Sequence, residues 1–346
     1  MLLIFLIAGN KREACVDWTL LTFSTMYTMI ELDDLVEKIS SVVDKTWKDR
    51  PQPNYEWMFQ VHWSKGGIPL RAEWVDVKKP AHKSSLQIFN VSELKELLLC
   101  VVINTFLANK GYLKQQVKGV PIGADAGPEL ANLYLFAYES NFIDRLERED
   151  LSKARQFHLS FRKIDDLLMV DNPHHELALK NLTEGGLYPK FLKRSATSVS
   201  EDHVQFCGMN IRNDGDGFEL SVYDKRDDFP FQIHNFLHMD SAIPSHMVYA
   251  GFTGQLHRFY YMCNRAHLFL KSILKLAKYL LEFRGIGKYK LLSLLGTFLS
   301  KYGTKFKQKR KWFLSRVKKA LSHSSQAELK LSRSASEDFW RDQKKI

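Results

Sequence analysis

Hydrophobic and polar positions along this chain switch between the two-residue alternation of strands and the three-to-four-residue spacing of helices. An apolar β-type segment beginning near Thr22 gives way after Glu31 to Leu32, Leu35, Val36, Ile39, Val42 and Val43, which fall on one helical face running to about Lys48. Residues 50–82 carry Pro51, Pro53, Trp57, Trp63, Gly66, Gly67, Pro69, Trp74 and Pro80 without sustained periodicity, and read as an irregular excursion. Ser92–Leu107 is helical again, with Ser92 as its N-cap and Glu96 in its first turns. A glycine and proline loop from Gly119 to Pro128 then opens a long helix over Glu129 to about Asp150, and Pro128 suits its first turn.

Two short β runs follow, Phe157–Phe161 and Leu167–Val170, joined by a hairpin-sized link that places Asp165 and Asp166 at its tip. Another hairpin is expected from Val204–Ile211 and Phe218–Val222, joined through the Asn213–Gly217 turn signal. From about Ser245 to Leu321 the spacing is helical and basic, and Leu270, Ile273, Leu274, Leu276, Ala277, Leu280 and Leu281 form one apolar stripe. The organisation that results is an apolar segment 1–13, a body over 14–240 with an insertion at 50–82, a basic helical domain over 241–320 and a Ser-rich charged tail over 321–346.

Composition changes the picture in one direction. Hydrophobic residues make up 45% of the 346 positions and charged residues 26%, which is the profile of a folding globular chain. The formal net charge of +11 favours anionic partners such as nucleic acid or acidic membrane. Cys15, Cys100, Cys207 and Cys263 lie far apart, with no histidine at metal-ligand spacing, so neither a disulfide framework nor a zinc site is indicated. His174 and His175 read as surface or core residues. The apolar opening Met1–Ala8 is far shorter than the roughly 20 residues a membrane helix needs and lacks the basic start of a signal peptide, so an intracellular location, nuclear or cytoplasmic, is expected.

Adjacent aspartates are weak evidence alone, since a chain of this size holds about one such pair by chance at ordinary Asp content. Of three pairs, Asp33-Asp34 opens a helix and Asp227-Asp228 lies in a polar turn, so only Asp165-Asp166 sits between two β runs. Two carboxylates converging at a tight tip suit a hard divalent cation. A solvated turn is the competing account.

Order along the chain favours the first account by resemblance. Gln116–Gly123 followed by Pro128–Leu135 resembles motif B of reverse transcriptases, and Phe161-Arg-Lys-Ile-Asp165-Asp166-Leu-Leu resembles their motif C, with Lys163 where an aromatic is usual. Thr22-Phe-Ser-Thr-Met-Tyr27-Thr is similar to motif A, and Phe206-Cys-Gly208 to the primer-grip turn. Tyr223–Phe229 is similar to a segment of Penelope-like retroelements, although no Gly-Ile-Tyr nuclease motif is visible.

The resemblance implies an α+β right-hand polymerase fold, an antiparallel palm backed by helices with a helical thumb. It further implies RNA-templated DNA synthesis with an RNA template, a DNA primer, deoxynucleotides and Mg2+ or Mn2+. In two-metal transfer the ions bridge the attacking 3′-hydroxyl and the triphosphate. By resemblance Asp165 and Asp166 would be the catalytic metal ligands. Tyr27 would gate the sugar, Gly119, Pro121 and Gly123 would let the backbone approach template and nucleotide, and Phe206 and Gly208 would hold the primer.

Between Lys301 and Lys319 stand nine Lys or Arg and no acids, and Lys305, Lys307, Lys309, Arg310 and Lys311 would follow the nucleic-acid backbone. The interleaved Tyr302, Phe306, Trp312 and Phe313 are spaced as well for core packing as for base stacking.

The motif A aspartate of the family aligns with Thr22, a neutral and weak ligand. Asp17 lies an odd number of residues earlier, which points it to the other strand face. The chain also starts almost at motif A, so the fingers segments are expected to be absent. The sequence therefore leads to an impaired polymerase or, alternatively, a catalytically inactive nucleic-acid-binding remnant of a retroelement.

Overall fold

The computed structural model describes residues 17–50, 56–76, 86–121, 123, 125–197, 203–214, 217–303, 305–306 and 309–322. The apolar opening, the tail beyond Ser322 and Lys307 lie outside the described residues; Leu321 and Ser322, assigned to the tail from sequence, belong to the last helix. Two compact units emerge, one over Asp17–Val199 and one containing the described residues from 203 onward.

The first unit is built on a four-stranded antiparallel sheet of β1 (Trp18–Phe23), β7 (Ser160–Lys163), β8 (Asp166–Val170) and β9 (Arg194–Thr197), in the order β7-β8-β1-β9. Trp18, Leu20, Leu21 and Phe23 are buried, an apolar strand stationed in the interior of its sheet. Helix α1 (Leu32–Lys48) buries Leu35, Ile39 and Val43, spaced for one face, and the long α3 (Gly127–Glu149) buries Leu130, Tyr134, Tyr138, Phe142 and Leu146. Tyr134 and Tyr138 donate their hydroxyls to Asp34 at 2.5 and 2.8 Å, tying α3 to α1. Burial and the Asp34 carboxylate push both phenols well above their ordinary pKa.

Four expectations change here. The run at 157–161 opens as a 3-10 turn over Gln156–Leu159, and β7 begins only at Ser160. The excursion at 50–82 contains strands β2 (Trp57–Trp63) and β3 (Pro69–Asp76), which form an antiparallel sheet with β4 (Leu86–Phe89) in the order β3-β2-β4. Trp74 anchors it, stacking edge-on against Trp47 and Phe59 with the Arg50 guanidinium 4.0 Å from its ring centroid. Helix α2 (Val91–Ile103) is capped by Asn90, which exchanges hydrogen bonds with Glu93 in a capping box, so Ser92 is not the cap. The helix also stops at Ile103 and yields to a small ribbon of β5 (Phe106–Asn109) and β6 (Tyr112–Gln115).

In the second unit Val204–Ile211 is not one strand. β10 (His203–Phe206) and β11 (Met209–Asn213) form a hairpin of their own, and β12 (Phe218–Val222) completes a three-stranded meander. Cys207 and Gly208 turn the chain with φ of 52° and 72°, the left-handed pair of a type I′ turn, which glycine accepts readily. Four helices follow, α4 (Ser245–Met262), α5 (Ala266–Arg284), α6 (Lys288–Tyr302) and α7 (Arg310–Ser322). Their core is Phe252, Leu256, Phe269, Ile273, Leu280, Leu295 and Phe313, all essentially inaccessible. Among the described residues no helix is long and apolar enough to cross a membrane.

Candidate active site and nucleic-acid surface

Strand register builds the first site. β1 and β8 run antiparallel with Thr22 opposite Asp166, and the Thr22 hydroxyl donates to the Asp166 carboxylate at 2.8 Å. The Phe23 amide donates to the Asp165 carbonyl at 2.8 Å, which fixes the turn between β7 and β8 against the end of β1. Asp165 is exposed at that turn and Asp166 half-buried.

The turn is held from below by α3. The Arg162 guanidinium donates to Glu139 at 2.5 and 3.2 Å, to the Asn132 side chain at 2.7 Å and to the Asn132 and Ile164 carbonyls at 3.1 and 3.4 Å. Tyr188 donates its hydroxyl to Glu139 at 2.7 Å, and complete burial raises its pKa well above the ordinary phenol value. Asn132 and Glu139 lie two helical turns apart on one face of α3, so the resembled motif B helix positions the resembled motif C turn. The sequence alone singles out neither Arg162 nor Glu139. The seven-residue spacing of Asn132 and Glu139 was there to find, but nothing in sequence pairs it with Arg162.

Tyr27 stands half-buried in the short turn after β1, and its phenol pKa is raised by burial first, then by the charges of Asp165 and Glu129. Gly119 has φ of 83°, and a Cβ there would lie 2.5 Å from the Tyr27 carbonyl oxygen. The Gly119 and Val120 amides donate to the Ile30 and Tyr27 carbonyls, each at 2.7 Å. This glycine thus admits the protein's own backbone, a use closer to hand than contact with template. Gly127 behaves alike, because a Cβ would meet the Pro121 carbonyl oxygen at 2.3 Å, whereas Gly123 is exposed with open space around it.

A two-metal site needs carboxylates from both strands, and the donor set here does not fit one. Thr22 supplies a neutral hydroxyl already engaged with Asp166, and Asp17 sits at the far end of β1, where its amide donates to Asp171. Asp34 is committed to the two tyrosines. Among the described residues no cluster of three or more metal-ligating side chains exists.

The other predicted residues belong to the second unit. Phe206 is buried beside the turn. Gly208 sits at it, and a Cβ there would lie 2.9 Å from the Arg258 guanidinium. Helix α7 buries Phe313, Val317 and Leu321 along one face and leaves Lys311, Arg316, Lys318 and Lys319 exposed with no acid in the helix. Lys309 and Arg310 are exposed at its start. Lys305 lies 5.4 and 5.5 Å from the Tyr260 and Phe306 ring centroids, and packing there lowers its pKa. The aromatics serve the core: Phe306 and Phe313 pack on Phe269, Trp312 on Phe313, and Tyr302 on Phe298 and His257.

No family model matches the chain, and no curated protein resembles it in sequence. Among solved structures, telomerase from Candida albicans in complex with a TWJ fragment of telomeric RNA matches with a TM-score of 0.51 at 11% identity, over 95% of this chain and 51% of that one. Apo telomerase from Candida tropicalis gives 0.41 at 12% identity over 92% of this chain and 47% of that one. The same telomerase with the TWJ fragment gives 0.39 at 13% identity over 92% and 45%. The chain spans about half the length of these structures. The first likeness shows the fold alone, an α+β architecture of the polymerase palm and thumb type.

Proposed function

We propose that the chain is a reverse-transcriptase-like domain that binds an RNA template paired with a DNA primer and whose nucleotidyl transfer is impaired. The observation that carries this reading is the Thr22 hydroxyl donating to Asp166 where the resembled motif A would present a carboxylate. Two carboxylates, Asp165 and Asp166, remain to hold Mg2+ or Mn2+. When bound, such an ion would offset negative charge on a triphosphate. Two carboxylates with one neutral hydroxyl hold a single hydrated ion more weakly than three carboxylates hold a pair.

Duplex binding is supported by the exposed cations of α7 and its flank, Lys309, Arg310 and Lys311 among them, with Lys305 and Lys307 as further backbone contacts. RNA as one partner agrees with the RNA fragment carried by the Candida albicans structure. Origin in a Penelope-like retroelement is the finer form of the reading and rests on the Tyr223–Phe229 segment alone.

Primer extension on an RNA template with deoxynucleotides and Mg2+ or Mn2+ tests the reading, run on the unaltered protein, Asp165→Ala and Thr22→Asp beside hybrid binding at rising salt. The expected result is hybrid affinity that falls steeply with salt and no incorporation by the unaltered chain. Robust incorporation abolished by Asp165→Ala would overturn the impairment. Salt-independent or absent hybrid binding would overturn the domain assignment itself.

A further inference from the structure

In the second unit an open pocket of about 420 Å³ lies between the segment after β12 and helices α4 and α5. That volume is in the range of small-molecule sites. Phe229, Phe231, Phe236, Phe259 and Tyr279 stand among its apolar lining. Phe231 is 62% exposed and Phe229 43%, two tilted rings 5.5 Å apart. Large apolar side chains left open beside a concavity mark a place where a ligand removes them from water.

The charges of the lining are unequal in a telling way. Arg226 and Lys275 are spent on Asp224 and Asp227, at 2.6 and 2.5 Å. Arg258, half-buried on α4, has no carboxylate within ion-pair distance among the described residues. Its Nη2 donates to the Gly208 and Tyr223 carbonyls at 3.4 and 3.1 Å, and its Nε and Nη1 have no protein acceptor there. A partly desolvated guanidinium with free N–H groups is an anion receptor, because its fork matches two acceptor oxygens at once.

We propose that this cavity is a binding site for a planar aromatic anion, its ring held among the phenyl groups and its acidic oxygens on Arg258. The assignment is independent of any catalysis by Asp165 and Asp166. Two sources share the chemistry, a nucleotide and a small aromatic carboxylic acid.

Ligand-observed NMR on the full chain tests it, with adenosine 5′-monophosphate and 2-naphthoate as probes and uncharged 2-naphthylmethanol as control. Binding of either acid, weakened about tenfold or more by Arg258→Met and severalfold by Phe231→Ala, is the expected result. Binding of the nucleotide alone or of the naphthoate alone assigns the source. Because Arg258→Met also removes the hydrogen bonds to the Gly208 and Tyr223 carbonyls, Phe231→Ala is the decisive variant, its ring being largely exposed. Failure of both acids to bind at millimolar concentration, equal binding by the uncharged control, or affinities unchanged in Phe231→Ala would overturn the site.

Discussion

The tips of two hairpins, Ile164-Asp165 between β7 and β8 and Cys207-Gly208 between β10 and β11, begin alike, with a non-glycine residue at φ of 53° and 52°. They are secured very differently. The Cys207 turn gains a glycine at its second position and rests on one guanidinium, Arg258, through two backbone carbonyls. The Ile164 turn forces a β-branched residue into the left-handed region, a conformation that costs about 1–2 kcal/mol and is rare for such side chains. Packing of Ile164 against the core and a network of Arg162, Glu139, Asn132 and Tyr188 hold it there. The tip that carries the carboxylates is over-determined by its surroundings. A tip that only turns the chain is left to local conformational preference.

Removing the two guanidiniums breaks this comparison most sharply. Arg162→Leu leaves Glu139 partly buried without its counter-charge, and breaking such a pair costs about 3–5 kcal/mol. Arg258→Met removes two ordinary hydrogen bonds to carbonyls, a loss of about 1–2 kcal/mol. Urea unfolding of the two variants should therefore separate them by about 1–4 kcal/mol. Equal losses would show that the tips are held with similar force.

Glycines sharpen the same contrast. At Gly119 a methyl group would strike the Tyr27 carbonyl at 2.5 Å, and backbone cannot step aside, so Gly119→Ala should cost about 2–3 kcal/mol with the left-handed penalty included. At Gly208 the obstacle is the far end of a flexible arginine, and Gly208→Ala should cost about 1–2 kcal/mol. Thermal melting reads both. A larger effect at Gly208 would mean that the hairpin is the more rigid of the two.

What the sequence revealed divides along the same physical line. Period and punctuation located α1, α3, the Asp165-Asp166 turn and the apolar stripe of α5, because each is encoded within a short window. The β2-β3-β4 sheet escaped notice: its Trp, Pro and Gly residues look like loop punctuation until Trp74 is seen packed on Trp47, a contact set by tertiary structure. The split of 204–211 into a hairpin hinged on Cys207 adopting a left-handed conformation, which no propensity favours. Phe206-Cys207-Gly208 was legible as a turn only through family resemblance. At the site, the Thr22 and Asp165-Asp166 positions were visible in sequence. The Arg162 network that holds them joins side chains up to 49 residues apart, beyond the reach of any local pattern.

Carboxylates at the two regions should respond to pH with opposite signs, and Thr22→Asp exposes the first. The new carboxylate would stand where a hydroxyl now donates to Asp166 at 2.8 Å. Like charges at that distance raise the pair's folded-state pKa above the unfolded value of about 3.9. The variant should lose about 1–2 kcal/mol at pH 7. That loss should disappear as pH falls through the raised folded pKa toward the unfolded one, and millimolar Mg2+ should recover part of it at neutral pH by linkage. A loss independent of both pH and Mg2+ would mean that the two carboxylates turn away from one another.

Asp224, just after β12, gives the smallest effect and the reverse sign. Hydrogen bonds from Arg226 lower its pKa from 3.8 to about 2. A carboxyl depressed in the folded state contributes stability above its unfolded pKa, and that contribution is lost as pH falls from about 4 through about 2. Fully expressed, the shift would be worth roughly 2 kcal/mol at 1.36 kcal/mol per pKa unit. Asp224 is open enough to water for screening to reduce this to about 1 kcal/mol or less. Asp224→Asn should accordingly be less stable than the unaltered chain at pH 7 and approach it near pH 2, with the gap narrowing as salt is added at neutral pH. Unfolding free energies of the two proteins across that window decide the matter. A gap that persists unchanged at pH 2 would show that Asp224 acts through its shape and hydrogen bonds, leaving its charge no part in holding the Arg226 and Lys275 side chains.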